Sequence, residues 1–557
     1  MKLPTPAIVA QSAVRRLPRL GLWLLCLAYV LPGFIGREPW KTADMQGFAY
    51  MFELARGATG WLDPMVLGER PEFSALLPYW LGAWAIGLTR GWLPADVAVR
   101  LPYVALLVVT LTCTWHAIFH LARSPRAQPV AFAFGGEADP LDYARAMADA
   151  GLLALIACLG LAQFTHETTP SPAQLAFTAM CFYGLAALAT SRPWPQLALA
   201  GGLVGLALSG APTLALLLAA GGALVLLTPD GVSSTDDRQR RLWALWVGAC
   251  ALATALLAWR LQLWAWRILP ALPEPGPLGR LLLWFTWPVG PLAAWTLWRW
   301  RRQLTSRHLA LPLWLAVITL ASAITTPNAD RSLLLTLPAL ATLAAFALPT
   351  LRRPVAALID WFTLLFFTGI ALVIWVVWIS LQTGVPAKPA ANVARLAVGY
   401  EPVFSVWAFA AALAATLAWA GLVRWRVGRH RAALWKSLVL PAGGAALCWL
   451  LLMTLWLPVL DYARSYVPTV RDVVRAVSAD GQRPSCVEVS GLTRGQSAAL
   501  RYHGELELKA VTAQPQCDWR VTASTGPTLP ADRWRLVTTV RRPTDPREAL
   551  RIYRIQP

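Results

Sequence analysis

The sequence predicts a mainly α-helical, polytopic membrane protein that ends in a small soluble α/β domain. Three observations carry this. Of 557 residues, 57% are hydrophobic and 14% charged, with a mean hydropathy of +0.50; soluble chains carry about a quarter charged residues. The apolar residues gather in runs long enough to cross a bilayer. The arginines sit in short clusters between those runs, as expected of the cytoplasmic loops of a membrane protein. The net charge of +20 comes from 49 Lys and Arg against 29 Asp and Glu. Its scatter between apolar runs argues against the single basic face of a nucleic-acid binder. The 30 tryptophans suit a membrane–water interface.

The elements follow in order. Arg15, Arg16 and Arg19 precede an apolar run from Leu20 to Gly36, read as an uncleaved first span in preference to a signal peptide. Further spans are expected near 99–122, 147–165, 171–190, 195–211, 212–228, 242–260, 281–298, 309–326, 332–350, 355–382, 403–423 and 434–457. That gives about thirteen in all. Segment 74–90, with Pro78 and its aromatics, reads as a helix lying at the interface. Gly201 and Gly205 form a small-xxx-small pair that suits close helix packing.

With the N-terminus inside, the inner loops hold Arg123 and Arg126, Arg192, then Arg238, Arg240 and Arg241. They continue with Arg299, Arg301, Arg302 and Arg307, with Arg352 and Arg353, and with Arg424, Arg426, Arg429 and Arg431. The alternation places 37–98, 165–171, 326–331, 383–402 and the tail on the outer side. The expected domains are a transmembrane part, 1–460, with its outer loop 37–98, and a C-terminal domain, 461–557.

The tail shows short strand-like stretches at Cys486–Ser490, Leu506–Val511, Trp519–Ala523, Trp534–Val540 and Leu550–Ile555, with a helical patch at 493–502. Two of the eight cysteines, Cys486 and Cys517, lie there, each heading a strand. An oxidising compartment would let them pair, and two buried thiols are the other reading.

No phosphate loop, zinc-type cluster or nucleophile elbow occurs. His116 and His120 share a helix face, but two such ligands lack a third partner for a metal. No metal site or cofactor is expected.

The informative region is the first outer loop. Asp44 follows the first span, and Phe48, Phe52 and Ala55 recur at helical spacing, which predicts an amphipathic helix on the bilayer. Then come Trp61-Leu62-Asp63-Pro64, Gly68, Tyr79-Trp80-Leu81 and Arg100-Leu101-Pro102. This order resembles the aminoarabinose transferase and protein O-mannosyltransferase families of the GT-C class of membrane glycosyltransferases. Trp287-Pro288, Asp330-Arg331 and Leu337-Pro338-Ala339 extend the likeness. The tail, with Asp461 to Tyr466, is similar to a proteobacterial subgroup of that class.

The resemblance implies a GT-C fold and an inverting transfer of a sugar from a polyprenyl-phosphate carrier. The acceptor would be a cell-envelope glycolipid, such as a lipid A-like one, or a polysaccharide, on the periplasmic face of the inner membrane. It implies a catalytic role for Asp44, the match to the family carboxylate; the plainer reading is a helix N-cap. A carboxylate there can take a proton from a hydroxyl, and an arginine suits the leaving phosphate.

Departures from the family pattern matter. Met45 stands where a second acid is usual, and Phe73, Ser74, Ala75 and Leu76 replace Glu-Lys-Pro-Pro. That removes a lysine thought to serve the lipid phosphate. Pro170 stands at the place of the next expected acid, and Glu167 is its candidate substitute, against a plain loop carboxylate. Ser209-Gly210-Ala211-Pro212 replaces a Lys-Gly-Pro sequence. Candidate phosphate ligands are Arg331, Arg267, Arg260 and Lys41. Arg331 could instead pair with Asp330, and Arg260 and Arg267 could snorkel to the interface. Two alternatives stand beside the transferase: an impaired relative that binds lipid-linked sugar without transfer, and a transporter. The notable acids lie in outer loops and not at mid-membrane, which disfavours transport.

Overall fold

The computed structural model describes all residues except 1–4, 189–192, 229–236, 265–268, 270–272, 327–328, 428–432, 480, 513, 527 and 557. Among the described residues, six helices are long and apolar enough to cross a membrane: Ala95–Ala122, Asp237–Arg260, Arg307–Thr325, Ala329–Thr350, Arg353–Thr383 and Val406–Arg426. Lys436–Leu452 and Leu457–Arg464 are bent by 67° at their junction and count as a seventh only if taken together as one broken span. The other expected spans also form helices, but shorter or less apolar ones, so the count of thirteen is not reproduced by length alone. Proline and glycine explain much of this. The 281–298 segment breaks at Pro288 into Pro275–Phe285 and Val289–Arg299, and the 147–165 segment breaks after Ala157 and resumes at Leu161. The first helix, Arg19–Val30, has 12 residues.

Burial sorts the helices. Most of the Ala329–Thr350 window (83%) is inside the protein, against 11% for Val406–Arg426. The first is a central helix; the second presents nearly its whole apolar circumference outward, as a lipid-facing span does. Close approach is local: a side chain at Gly205 would overlap Phe177, and one at Gly202 would meet Cys181. Of the expected Gly201–Gly205 pair only Gly205 packs this closely; Gly201 is exposed, and Gly202 takes its place in the contact.

The outer loop departs from expectation in one respect. The helix after Asp44 exists, as Ala43–Ala55, but it does not lie open on the bilayer. Nine of its 13 residues are buried, Asp44 and Glu53 among them. One side packs on Leu77–Leu88, where Gly82 sits against Met51. The other side meets the tail: the Tyr502 ring lies 4.7 Å from Phe48 and 5.2 Å from Phe52. The aromatic stripe read as lipid-facing is a protein–protein seam.

The tail holds helices Val467–Val477 and Arg494–Tyr502 and strands β1 (Val487–Ser490), β2 (Leu508–Ala510), β3 (Trp519–Ala523), β4 (Trp534–Arg542) and β5 (Asp545–Ile555). Each expected strand is present. They form one mixed sheet in the order β2-β1-β3-β5-β4, with β1 parallel to β2 and β3, and β5 antiparallel to β3 and β4. The pairing of Val487 with Trp519 brings the residues just before each strand together. Cys486 and Cys517 accordingly form a disulfide, with Cα atoms 5.4 Å apart. It closes a separation of 31 residues, worth about 3 kcal/mol on the chain-entropy model. Reductant, or Cys517→Ser, is expected to lower the tail's melting temperature; an unchanged melt would show that the bond adds nothing.

The tail grips the outer loop by charge. Arg501 reaches buried Glu53 at 3.3 Å, Arg494 reaches Glu69 at 3.0 Å, and the Tyr502 hydroxyl donates to Asp96 at 2.8 Å. Loop and tail therefore lie on the same side of the membrane.

Candidate active site

Three segments meet under the tail: the start of the Ala43–Ala55 helix, the loop between Thr165 and Pro170, and the Leu457–Arg464 helix. Asp44 is only 3% exposed, and both its oxygens are engaged. Oδ2 accepts from Arg37 Nη2 at 2.7 Å and from the Trp40 amide at 3.1 Å. Oδ1 accepts from the Thr168 amide and from the Thr168 hydroxyl, both at 2.7 Å. The N-cap reading is thereby replaced. Thr42 holds the cap position, and Asp44 binds groups outside its own helix. It pins that helix to the loop before Pro170.

Arg37 is buried with it. One of its nitrogens serves both Asp44 and the His166 carbonyl. Its guanidinium lies 4.6 Å from the centre of the Trp40 ring, and Nε and Nη1 have no hydrogen-bond partner among the described residues. His166 lies wholly inside, with Nε2 at 3.1 Å from the Val30 carbonyl and the ring against Phe34 and Trp449. Burial lowers its pKa to about 4, so it serves as a neutral anchor.

Glu167 follows directly. Its carboxylate takes a forked pair from Arg331, Nε to Oε2 at 2.9 Å and Nη2 to Oε1 at 3.1 Å. Burial raises the Glu167 pKa to about 7, Arg331 opposes the rise, and Asp44 adds to it. Glu167 is thus neither a free loop carboxylate nor remote from Asp44. The reading of Arg331 as paired only with Asp330 is also displaced: Asp330 is 3.8 Å away, and the fork is to Glu167. The Arg331 guanidinium also lies over the Phe164 ring, at 5.2 Å, and keeps 23% of its side chain exposed. Pro170 occupies the first turn of the Pro170–Ala187 helix, where its missing amide costs nothing.

Three further groups complete the cluster. The Asp461 carboxylate accepts from Trp40 Nε1 at 2.6 Å and from the Glu38 amide at 3.1 Å. The Arg464 guanidinium lies over the Trp40 ring, 5.1 Å from its centre. Arg100 donates to the Phe34 carbonyl and lies 3.6 Å from Asp96. Arg37, Asp461 and Arg464 carried no assigned role in the sequence. Asp461 and Arg464 stood in the quoted Asp461–Tyr466 motif, and Arg37 is the first residue of the outer loop 37–98, so the signal was present without a partner to give it meaning.

The remaining expected ligands separate. Lys41 is held by the tail, 3.1 Å from Glu548 and 3.7 Å from Asp545. Arg260 ends its helix exposed; Ala258, two residues back, packs with Leu76 and Leu263. Arg267, like Arg192, Arg429 and Arg431, lies outside the described residues. The His116 and His120 rings flank Tyr183, at 5.6 and 6.1 Å.

Two crystal structures of ArnT from Cupriavidus metallidurans share this architecture, one bound to undecaprenyl phosphate and one in the apo state. The TM-scores are 0.60 and 0.61 at 14% identity, over 96% of this chain and 97% of theirs. The fold is that of ArnT. No family model matches the chain, and no curated protein does. The expected polytopic helical fold with a small C-terminal sheet is borne out, and the likeness to the ArnT structures extends over 96% of the chain.

Proposed function

We propose that the protein is an integral-membrane glycosyltransferase that moves a sugar from a polyprenyl-phosphate carrier to a cell-envelope glycolipid or polysaccharide. The observation that carries this is the meeting of Asp44, Glu167 and Arg331 beneath the tail of an ArnT fold. The ArnT structure that holds undecaprenyl phosphate supports a lipid phosphate as donor. In this reading residues 1–460 are the transferase and 461–557 the outer domain, which roofs the site.

The chemistry follows from the contacts. The Thr168 hydroxyl donates to Asp44 Oδ1, and an acceptor hydroxyl displacing it would have the same hydrogen-bond line. As the acceptor oxygen bonds to the sugar carbon, the bond from that carbon to the phosphate oxygen breaks, with inversion. The acceptor's proton passes to Asp44. The leaving phosphate gains charge, and we read the partly exposed Arg331 as its partner, with Arg260 as a second candidate cation. Lys41, committed to Glu548, drops behind them.

The full engagement of both Asp44 oxygens favours one other reading, a relative that binds lipid-linked sugar without transferring it. The experiment is reconstitution in vesicles with polyprenyl-phosphate-linked sugars, with lipid A-type glycolipid as acceptor, read by mass spectrometry. A sugar-sized mass gain on the acceptor supports transfer. Binding of polyprenyl phosphate without any gain, from every donor tried, supports the other reading. Envelope lipids of a deletion strain would identify the missing product.

Orientation has its own test. Reporter fusions at Arg70 and at the C-terminus are expected to give the same, periplasmic, signal. A cytoplasmic signal from either would invert the site's placement.

A further inference from the structure

We infer that the groove between the first helix and the helices Val406–Val427 and Lys436–Leu452 is a binding site for one anionic diacyl phospholipid. The groove measures about 780 Å³ and is apolar along its length, from Leu17, Trp425 and Trp435 at one end to Leu31 and Leu450 at the other. Its walls are smooth because small residues line them, Gly21, Ala415 and Gly443 among them. Such a surface, open to the bilayer, takes a flexible hydrocarbon chain.

Length and charge select the occupant. The first helix has 12 residues, about 18 Å at 1.5 Å per residue. A hydrocarbon core is about 30 Å thick, so the groove spans little more than one leaflet. That fits the acyl chains of a phospholipid, not the far longer tail of a polyprenyl carrier. One end is cationic and aromatic. The Trp425 and Trp435 rings stack at 6.2 Å, Lys436 lies over Trp425 at 5.9 Å, and Trp435 Nε1 donates to the Arg15 carbonyl at 2.7 Å. The side chains of Arg15, Arg19 and Arg424 are exposed around it. Of the nearby acids, Asp142 and Asp360 pair with Arg16 and Arg426, and Asp149 is buried and accepts from Trp115 Nε1 at 2.9 Å. A phosphate headgroup therefore meets net positive charge at this end, with its chains directed toward Leu31.

The test uses full-length, delipidated protein in detergent and native mass spectrometry. Phosphatidylglycerol, phosphatidylcholine with the same chains, and undecaprenyl phosphate are titrated separately and in competition. The tightest-held lipid is expected to be phosphatidylglycerol, about fivefold or more above phosphatidylcholine. Lys436→Gln with Arg424→Gln should remove that preference. Gly21→Leu fills the groove, and a Cβ there meets nothing within 4 Å, so the fold is kept; it should abolish tight binding, while Gly21→Ala should not. Equal affinity for phosphatidylcholine, unchanged binding in a normally melting Gly21→Leu protein, or displacement by equimolar undecaprenyl phosphate would each overturn the proposal.

Discussion

Asp44→Asn is expected to cut transfer by about 10²–10⁴-fold, the usual contribution of a positioned base, and to lower stability in the same step. The second effect comes from Arg37. Its side chain is 0% exposed and Asp44 is its ion-pair partner at 2.7 Å. Removing one member of a buried pair leaves the other charge uncompensated, at a cost of about 3 kcal/mol. A loss of activity alone would therefore be ambiguous. The double variant Arg37→Gln/Asp44→Asn separates the two effects, because it removes both charges. Its melting temperature should recover much of the loss, while transfer per folded molecule stays at the level of the single variant. If the double variant regains transfer together with stability, Asp44 is a structural anchor only. Full transfer by folded Asp44→Asn protein, with the true donor, would end the assignment outright.

The sequence made different parts of this arrangement visible to different degrees. The tail's strands were legible because alternation and turn residues are local, and β1 to β5 fall where the pattern put them. The disulfide was legible because both cysteines head strands. Asp44 and Glu167 were legible as candidates only through the family resemblance, Asp44 as the match to its carboxylate and Glu167 as the acid nearest Pro170. What could not be read was the docking of the tail on the first loop. Asp461 receives the Glu38 amide across 423 residues, and Lys41 spans 507 to reach Glu548. No periodicity encodes such pairs, so Lys41 read as a free cation. The Phe48 and Phe52 face read as lipid-facing for the same reason, because an apolar stripe looks alike whether lipid or Tyr502 covers it. Arg37 was hidden differently: an arginine at the end of a span is the common snorkelling case, and only its burial against Asp44 sets it apart.

Arg331→Ala carries the second large effect, and it should act through Glu167 as well as on the donor. Arg331 is the forked partner of Glu167 and the most exposed member of the cluster's central pair, so it can reach a phosphate where Glu167 cannot. Its loss is expected to lower transfer about 10²-fold, the scale of removing one well-placed charge-stabilising donor. The Glu167 pKa is already raised to about 7 by burial, and Arg331 is what holds it down. Without Arg331 the carboxyl should titrate higher still, and any limb it contributes to the pH profile of kcat/KM should move to higher pH. Stability follows the same sign. Folding favours the protonated carboxyl, so its contribution is complete below the ordinary 4.5 and is lost as pH rises through about 7. Glu167→Gln should flatten that fall and abolish the limb near pH 7. If the two residues work as a unit, the double variant should lose no more transfer than the worse single variant. Additive losses, with an unmoved pH profile, would assign Arg331 to the phosphate alone and leave Glu167 as its counter-ion.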